Sequence, residues 1–272
     1  MRLPKDPRWL QIGFLCSFLL LGLAARDFPI WHAPLLFASC LGTQLLCERL
    51  LKLPHAGLLS PIITSFGLTL LLRAGSWWVP PLAGILAIGS KYALRIRGRH
   101  FFNPANFGLC CLMLLTPSAW CSPTQWGEQG LLLLWILALG LAVAHRAFRA
   151  DVSLAFLVSF IVLRTARIHS LGQRPEVLFH QLNSGSLLLF TFFMISDPKT
   201  TPRNRSARIA FAAIVACTAF VLSTHWVQNP IVWALFFCAP LTPLFDALTS
   251  RLQEEKPACA PSQQPLLSPA SP

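Results

Sequence analysis

The chain alternates long apolar runs with short connectors that hold almost all of its lysines and arginines. That pattern constrains the fold more than any single motif. Lipid offers the backbone no water, so each crossing segment has to satisfy its own N–H and C=O groups as a helix. A span needs roughly 17 to 25 mainly apolar residues. Ten runs are candidates, at 9–25, 28–47, 56–72, 77–94, 103–118, 130–144, 152–163, 180–195, 207–223 and 230–247, and several are short. With 54% hydrophobic and 12% charged residues, a soluble globule is excluded. The reading is an all-α polytopic membrane protein of about ten transmembrane helices, with residues 1–255 as one transmembrane domain.

The direction of the spans follows from the basic residues, which collect on the cytoplasmic side of membrane proteins. With a cytoplasmic N-terminus, all 22 lysines and arginines lie inside except Arg26, Arg73, Arg164, Arg167 and Arg174. The bias supports an even number of spans with both termini in the cytoplasm. The net charge of +12 then matches anionic lipid headgroups. No nucleic-acid partner is expected, because the basic residues sit between apolar runs and form no continuous patch. The first run follows a basic segment and contains Gly22-Leu23-Ala24, which resembles a signal-peptide cleavage site. Its apolar stretch exceeds the ~7 to 15 residues of a signal core, so it reads as a span. Residues 256–272 are rich in proline and serine and read as a disordered cytoplasmic tail.

Five spans followed by five entering from the opposite side is the arithmetic of a 5+5 inverted repeat, with half-repeats at about 1–128 and 129–255. The third span of the first half is interrupted by Ser60-Pro61 and carries Ser60, Thr64, Ser65 and Thr69. Its counterpart is short and holds Asn183, Ser184, Gly185 and Ser186. Broken helices of this kind are tolerated at membrane depth where they line protein or a polar cavity. The fifth span of each half opens with Asn-Pro, at Asn103-Pro104 and Asn229-Pro230, and proline suits the first helical turn.

Two polar segments carry the candidate chemistry. In residues 91–108 (KYALRIRGRHFFNPANFG), cations stand beside a helix start, an arrangement suited to an anion as well as to an ordinary positive-inside loop. Asn103 and Asn106 share a helix face, where their amides could hydrogen-bond a planar polar ring. In residues 180–202 (HQLNSGSLLLFTFFMISDPKTTP), Asp197 lies beside Lys199 at the cytoplasmic end of a short span. Ser-Asp-Pro is ordinary turn chemistry, and Asp197 at membrane depth is also suited to a cation, a proton or a cofactor ring nitrogen. His180 opens that span. The nine cysteines show no paired metal-ligand spacing and read mainly as buried thiols, and the seven histidines show no short ligand spacing. No metal site, nucleophile elbow or phosphate-cradling loop is expected.

The two segments, with SPIITSFGLTLLLRAGSWWVPPLAGILAIGSKY before the first, resemble the membrane-subunit family that includes RnfD and NqrB. That family belongs to the ion-translocating ferredoxin- and NADH-dependent reductases of bacteria. The resemblance covers about residues 60–202 and implies the RnfD component of an RnfABCDGE-type electron transport complex. It further implies a multi-pass protein of the bacterial inner membrane that carries flavin, works with other membrane or peripheral subunits, and couples electron transfer to Na⁺ or H⁺ movement. Family members attach FMN covalently through a threonine in a Ser/Thr-Gly-Ala-Thr motif of the outer loop after the seventh span. Here that loop reads LRTARIHSLGQR at 163–174 and lacks the motif. Covalent FMN is therefore not expected, and the flavin reading is a noncovalent FMN or riboflavin.

On this reading Arg97 and Arg99 hold an anionic group, Asn103 and Asn106 orient a ring, and Asp197 with Lys199 tunes its charge. Ser60, Thr64, His180 and Ser184 are the candidate residues of an ion or substrate path. Two alternatives come from other classes. A small-solute channel or transporter would use the same broken helices with no redox role. A scaffold would use only its arginine-rich loops to anchor a peripheral redox protein.

Overall fold

The computed structural model describes residues 6–24, 28–122, 150–182 and 184–254. The sixth apolar run, the boundary between the proposed half-repeats and the tail 256–272 lie outside them. The described chain is mostly helical: α1 (Pro7–Ala24), α2 (His32–Leu50), α3 (Leu59–Leu71), α4 (Val79–Ala93), α5 (Pro104–Leu115), α6 (Ala150–Ser170), α7 (Glu176–Leu182), α8 (Gly185–Leu189), α9 (Arg205–Thr224), α10 (Pro230–Cys238) and α11 (Leu241–Glu254). Helix α8 runs directly into one π-helical turn, Phe190–Met194. Among the described residues, α6 and α9 are each long and apolar enough to cross a membrane. The bent pairs α7–α8, at 55°, and α10–α11, at 44°, bring the number to four if each is one span. Helices α1, α3 and α5 are apolar but shorter.

The local sequence accounts for many of these boundaries. Trp78 precedes Val79-Pro80-Pro81, and the prolines occupy the first turn of α4, where a missing N–H costs no helical bond. Asn103 caps α5, its side-chain oxygen accepting from the Asn106 N–H at 3.1 Å, and Pro104 follows at the first helical position. Asn229 likewise precedes Pro230 at the start of α10, in a left-handed backbone with φ 53°. Both Asn-Pro dipeptides therefore open helices. Ser60-Pro61 does not interrupt its span: it lies in the first turn of α3, after an extended approach. The seventh helix also differs from its expected extent. It continues to Ser170, so Arg164, Thr165 and Arg167 are helical and not in a loop. The long arginine side chains make this tolerable, with Arg164 over the Phe160 ring at 5.2 Å and Arg167 over Phe220 at 5.9 Å.

Helices α3 and α5 contain 13 and 12 residues, so each rises only about 20 Å. Both continue into short strands that pair with one another, β1 (Leu72–Ala74) with β4 (Ala119–Cys121). The antiparallel register sets Leu72 opposite Cys121, Arg73 opposite Trp120 and Ala74 opposite Ala119. The ribbon satisfies the backbone where the helices stop. Arg73 extends the effect, donating to the carbonyls of Thr69, Leu70 and Leu72 at the end of α3. At the other end of α4 lies a tight hairpin, β2 (Arg95–Ile96) with β3 (Arg99–His100). Its two turn residues, Arg97 and Gly98, both have positive φ, 52° and 78°, as the commonest two-residue hairpin turn demands.

Small residues let the helices approach closely, which is how lipid-embedded helices gain packing. A Cβ at Gly108 would lie 2.7 Å from the Ala83 carbonyl oxygen, and one at Gly84 would lie 2.9 Å from the Ser39 Cβ. Helix α2 thus packs on α4, and α4 on α5. The second part of the chain joins this core through rings and hydrogen bonds. Phe14 stacks on Phe193 at 5.1 Å, Phe156 meets Phe190 at 4.9 Å, and the Cys110 thiol faces the Val232 carbonyl at 3.8 Å. The π turn leaves a carbonyl to be satisfied from outside, and buried Ser153 on α6 donates to the Thr191 oxygen at 2.7 Å.

Candidate functional site at the basic end of the helices

A buried polar network links α2, α3 and α4 at the end that carries the hairpin. Gln44 and Glu48 lie four residues apart on α2 and so share a face. The Gln44 amide donates to Glu48 Oε1 at 2.6 Å, and Lys91 Nζ on α4 donates to Gln44 Oε1 at 2.9 Å and to the Ser60 hydroxyl at 3.1 Å. The other Glu48 oxygen meets His55 Nδ1 at 2.6 Å, and the Ala56 N–H donates to Oε1 at 3.2 Å. Lys91 is 6% exposed, Glu48 5% and Gln44 1%. A carboxylate and an ammonium are thus held out of water, joined through one amide. Such groups are costly in apolar helices unless each is hydrogen-bonded, as these are. His55 is the member that reaches solvent.

Ser60 is the candidate path residue that joins this network. Thr64 is adjacent but turns its hydroxyl back to the Ser60 carbonyl at 3.1 Å. Ser65 and Thr69 do the same to Pro61 and Ser65, so the hydroxyls of α3 bond their own helix. His180 is exposed on α7, and the Ser184 hydroxyl meets that of Ser186 at 2.8 Å. Neither is bonded to Lys91 or Glu48.

The second segment folds against the hairpin. Arg99 donates to the backbone oxygens of Lys199 and Thr201, both at 2.6 Å, and to that of Pro198, and reaches Asp246 Oδ2 at 3.1 Å. Its guanidinium is therefore committed to a turn and to α11. Burial holds it below its ordinary range, opposed by the neighbouring Asp246 charge. Asp197 builds that turn. Its Oδ1 accepts from the Lys199 N–H at 2.9 Å, and its carbonyl accepts from the Thr201 hydroxyl at 3.1 Å. Asn103 both caps α5 and donates through Nδ2 to the Met194 carbonyl at 3.2 Å, tying the first half to the end of the π turn.

Two hydrogen-bonding atoms in this region have no partner among the described residues, Asn106 Oδ1 and His100 Nε2. Asn106 is 1% exposed and His100 8%. Burial pushes the His100 imidazole below its ordinary range, the Asp197 charge opposes this, and Lys91 and Lys199 reinforce it. Buried unpaired atoms of this kind cost roughly 1 to 3 kcal/mol each and call for a ligand or water. Arg97 is placed differently. It lines an open cleft of about 490 Å³ with Arg99, Arg203, Asn204 and Asp246, and Asn103 and Asn106 are not part of that lining.

Sequence reasoning missed Gln44, Glu48, His55 and Asp246. The available signal was the spacing of Gln44 and Glu48 at the very end of an apolar run, which the span boundary at residue 47 cut through. Among the described residues, no three His, Cys, Asp or Glu side chains converge as a metal site.

Comparison with known proteins places the second part of the chain. The model of the NQR2, RnfD, RnfE family matches residues 121–253, a stretch that includes the second polar segment and excludes the first. The D component of the ion-translocating oxidoreductase complex of Stutzerimonas stutzeri is 32% identical over 121 residues, which make up 42% of this chain. The match spans 30% of that relative's length.

Proposed function

Residues 121–253 of this chain belong to the NQR2, RnfD, RnfE family, and on that footing we propose that the protein is a membrane subunit of an electron-transfer complex that drives Na⁺ or H⁺ across the bacterial inner membrane. The observation that carries the proposal is the Lys91–Gln44–Glu48–His55 network, an ionisable chain built into apolar helices and open to solvent at His55. Intramembrane ionisable groups of this kind mark ion and proton routes. About ten spans in a 5+5 inverted repeat, with both termini cytoplasmic, complete the reading; the helix-opening Asn-Pro pairs and the two bent helix pairs support it. The partners are other membrane or peripheral subunits, as the name of the relative from Stutzerimonas stutzeri says of that protein.

The flavin belongs to the same proposal. Asn106 Oδ1 and His100 Nε2 are the open hydrogen-bonding atoms that a ring of a noncovalent FMN or riboflavin could meet. A channel with no redox role is less well supported, because the hydroxyls of α3 are turned onto their own backbone.

Vesicles containing the assembled complex test the ion route. Glu48→Gln should abolish redox-driven ion uptake while electron transfer persists, and uptake equal to wild type would remove Glu48 from the path. The visible spectrum of the intact purified protein tests the flavin. No flavin absorbance, even after FMN and riboflavin are added, would exclude it.

A further inference from the structure

The cleft beside the hairpin is a separate feature from the buried network. Three guanidiniums border it, those of Arg97, Arg99 and Arg203, against one carboxylate, Asp246. That carboxylate is already engaged on both oxygens, Oδ2 with Arg99 at 3.1 Å and Oδ1 with the Arg203 N–H at 2.7 Å. It is therefore poorly placed to neutralise the side chains of Arg97 and Arg203, neither of which has a hydrogen-bond partner among the described residues. The cleft thus keeps an excess of positive charge and two forked donors facing a space of about 490 Å³, within the size range of small-molecule sites.

Arg97 is also held in an unfavourable backbone. A residue other than glycine, asparagine or aspartate is uncommon at φ 52°, and the turn keeps Arg97 there while Gly98 takes the adjoining positive φ. The cost fixes the Arg97 side chain on the cleft side of the hairpin. Arg99 anchors the same hairpin to the 198–201 turn, so the base of the site is rigid.

We propose that this cleft binds a phosphate group, gripped by Arg97 and Arg203, with Arg99 and Asp246 as its fixed frame. Two sources supply that chemistry, a soluble phosphate-bearing molecule and an anionic lipid headgroup. On α11 the exposed leucines Leu244, Leu248 and Leu252 lie on the face opposite the cleft residues Asp246 and Ser250, so lipid chains along those leucines would not adjoin the cleft. This favours the soluble source.

The test uses the full chain in detergent, with inorganic phosphate titrated against chloride at equal ionic strength and thermal unfolding as readout. Phosphate should raise the melting temperature of the wild type. Arg97→Gly, which relieves the strained backbone, and Arg203→Gln should each weaken that binding by roughly tenfold. A parallel arm compares nanodiscs of phosphatidylglycerol and phosphatidylcholine. Stabilisation by phosphatidylglycerol alone, lost in both variants, assigns the site to a lipid headgroup, and stabilisation by inorganic phosphate assigns it to a soluble ligand. No effect in either arm, or an effect undiminished in both variants, overturns the proposal. Because neither arm involves electron transfer or flavin, its outcome is independent of the proposed redox role.

Discussion

Arg99 and Asp246 lie 147 residues apart in sequence and meet at 3.1 Å, joining the hairpin after α4 to helix α11. The same guanidinium also takes backbone oxygens of the 198–201 turn, so one side chain holds three chain segments together. Losing such a set of charge-assisted bonds costs on the order of 2 to 3 kcal/mol. Arg99→Ala should therefore lower the melting temperature in detergent by several degrees. Arg99→Lys should not restore it, because an ammonium lacks the planar fork. Full recovery with lysine would show that charge alone suffices.

The close approach of α4 and α5 gives a second expectation. A methyl group at Gly108 would press on the Ala83 carbonyl oxygen and on Ala87, whereas one at Gly89 meets nothing within 4 Å. Gly108→Ala should cost about 1 to 3 kcal/mol through overpacking. Gly89→Ala should be neutral or slightly stabilising, since alanine is the better helix former. Equal melting temperatures for the two variants would contradict the packing.

Ser153 supports the π turn across the helix boundary. Removing its hydroxyl leaves the buried Thr191 carbonyl short of a partner, at a cost of roughly 1 to 3 kcal/mol. Ser153→Ala should destabilise the protein, and Ser153→Thr, which keeps a donor, should do so less. Hydrogen exchange at residues 190–195 reads the local effect directly.

His100 sets a pH dependence. Its imidazole is held below its ordinary value by burial, so the unfolded chain takes up a proton first as the pH falls. The stability it contributes is fully present above about pH 6.5 and declines as the pH drops from there through the lower folded value. Melting temperatures at pH 7.5 and pH 5 should differ more for the wild type than for His100→Asn, which cannot titrate. An identical pH response in the two proteins would remove His100 as the cause.

Much of this architecture was legible in the amino-acid order, and the parts that were not share a physical reason. Apolar runs and helix-start signals are local, so Asn103-Pro104, Trp78-Val79-Pro80 and the start of α9 at Asn204 could be placed from neighbouring residues alone. The extent of α6 could not, because arginines inside a helix look like a loop until Phe160 and Phe220 are seen beneath them. The site divided in the same way. Asn103, Asp197 and Lys199 were chosen for their density of polar groups, and they do converge with Arg99, but chiefly to build and brace a turn. The Glu48 network was missed because its members come from α2, α3 and α4 and from the segment between α2 and α3, and only tertiary structure brings Lys91 to Gln44.

The ribbon joining β1 to β4 has a mechanical consequence. Its strands are paired by a fixed ladder, so α3 cannot slide along its axis without dragging α5, and a slip of one residue would turn Arg73 and Trp120 to the opposite face. Two helices too short to cross alone are thereby clamped into a single stiff strut, and any rocking of the molecule is left to the bent pairs α7–α8 and α10–α11.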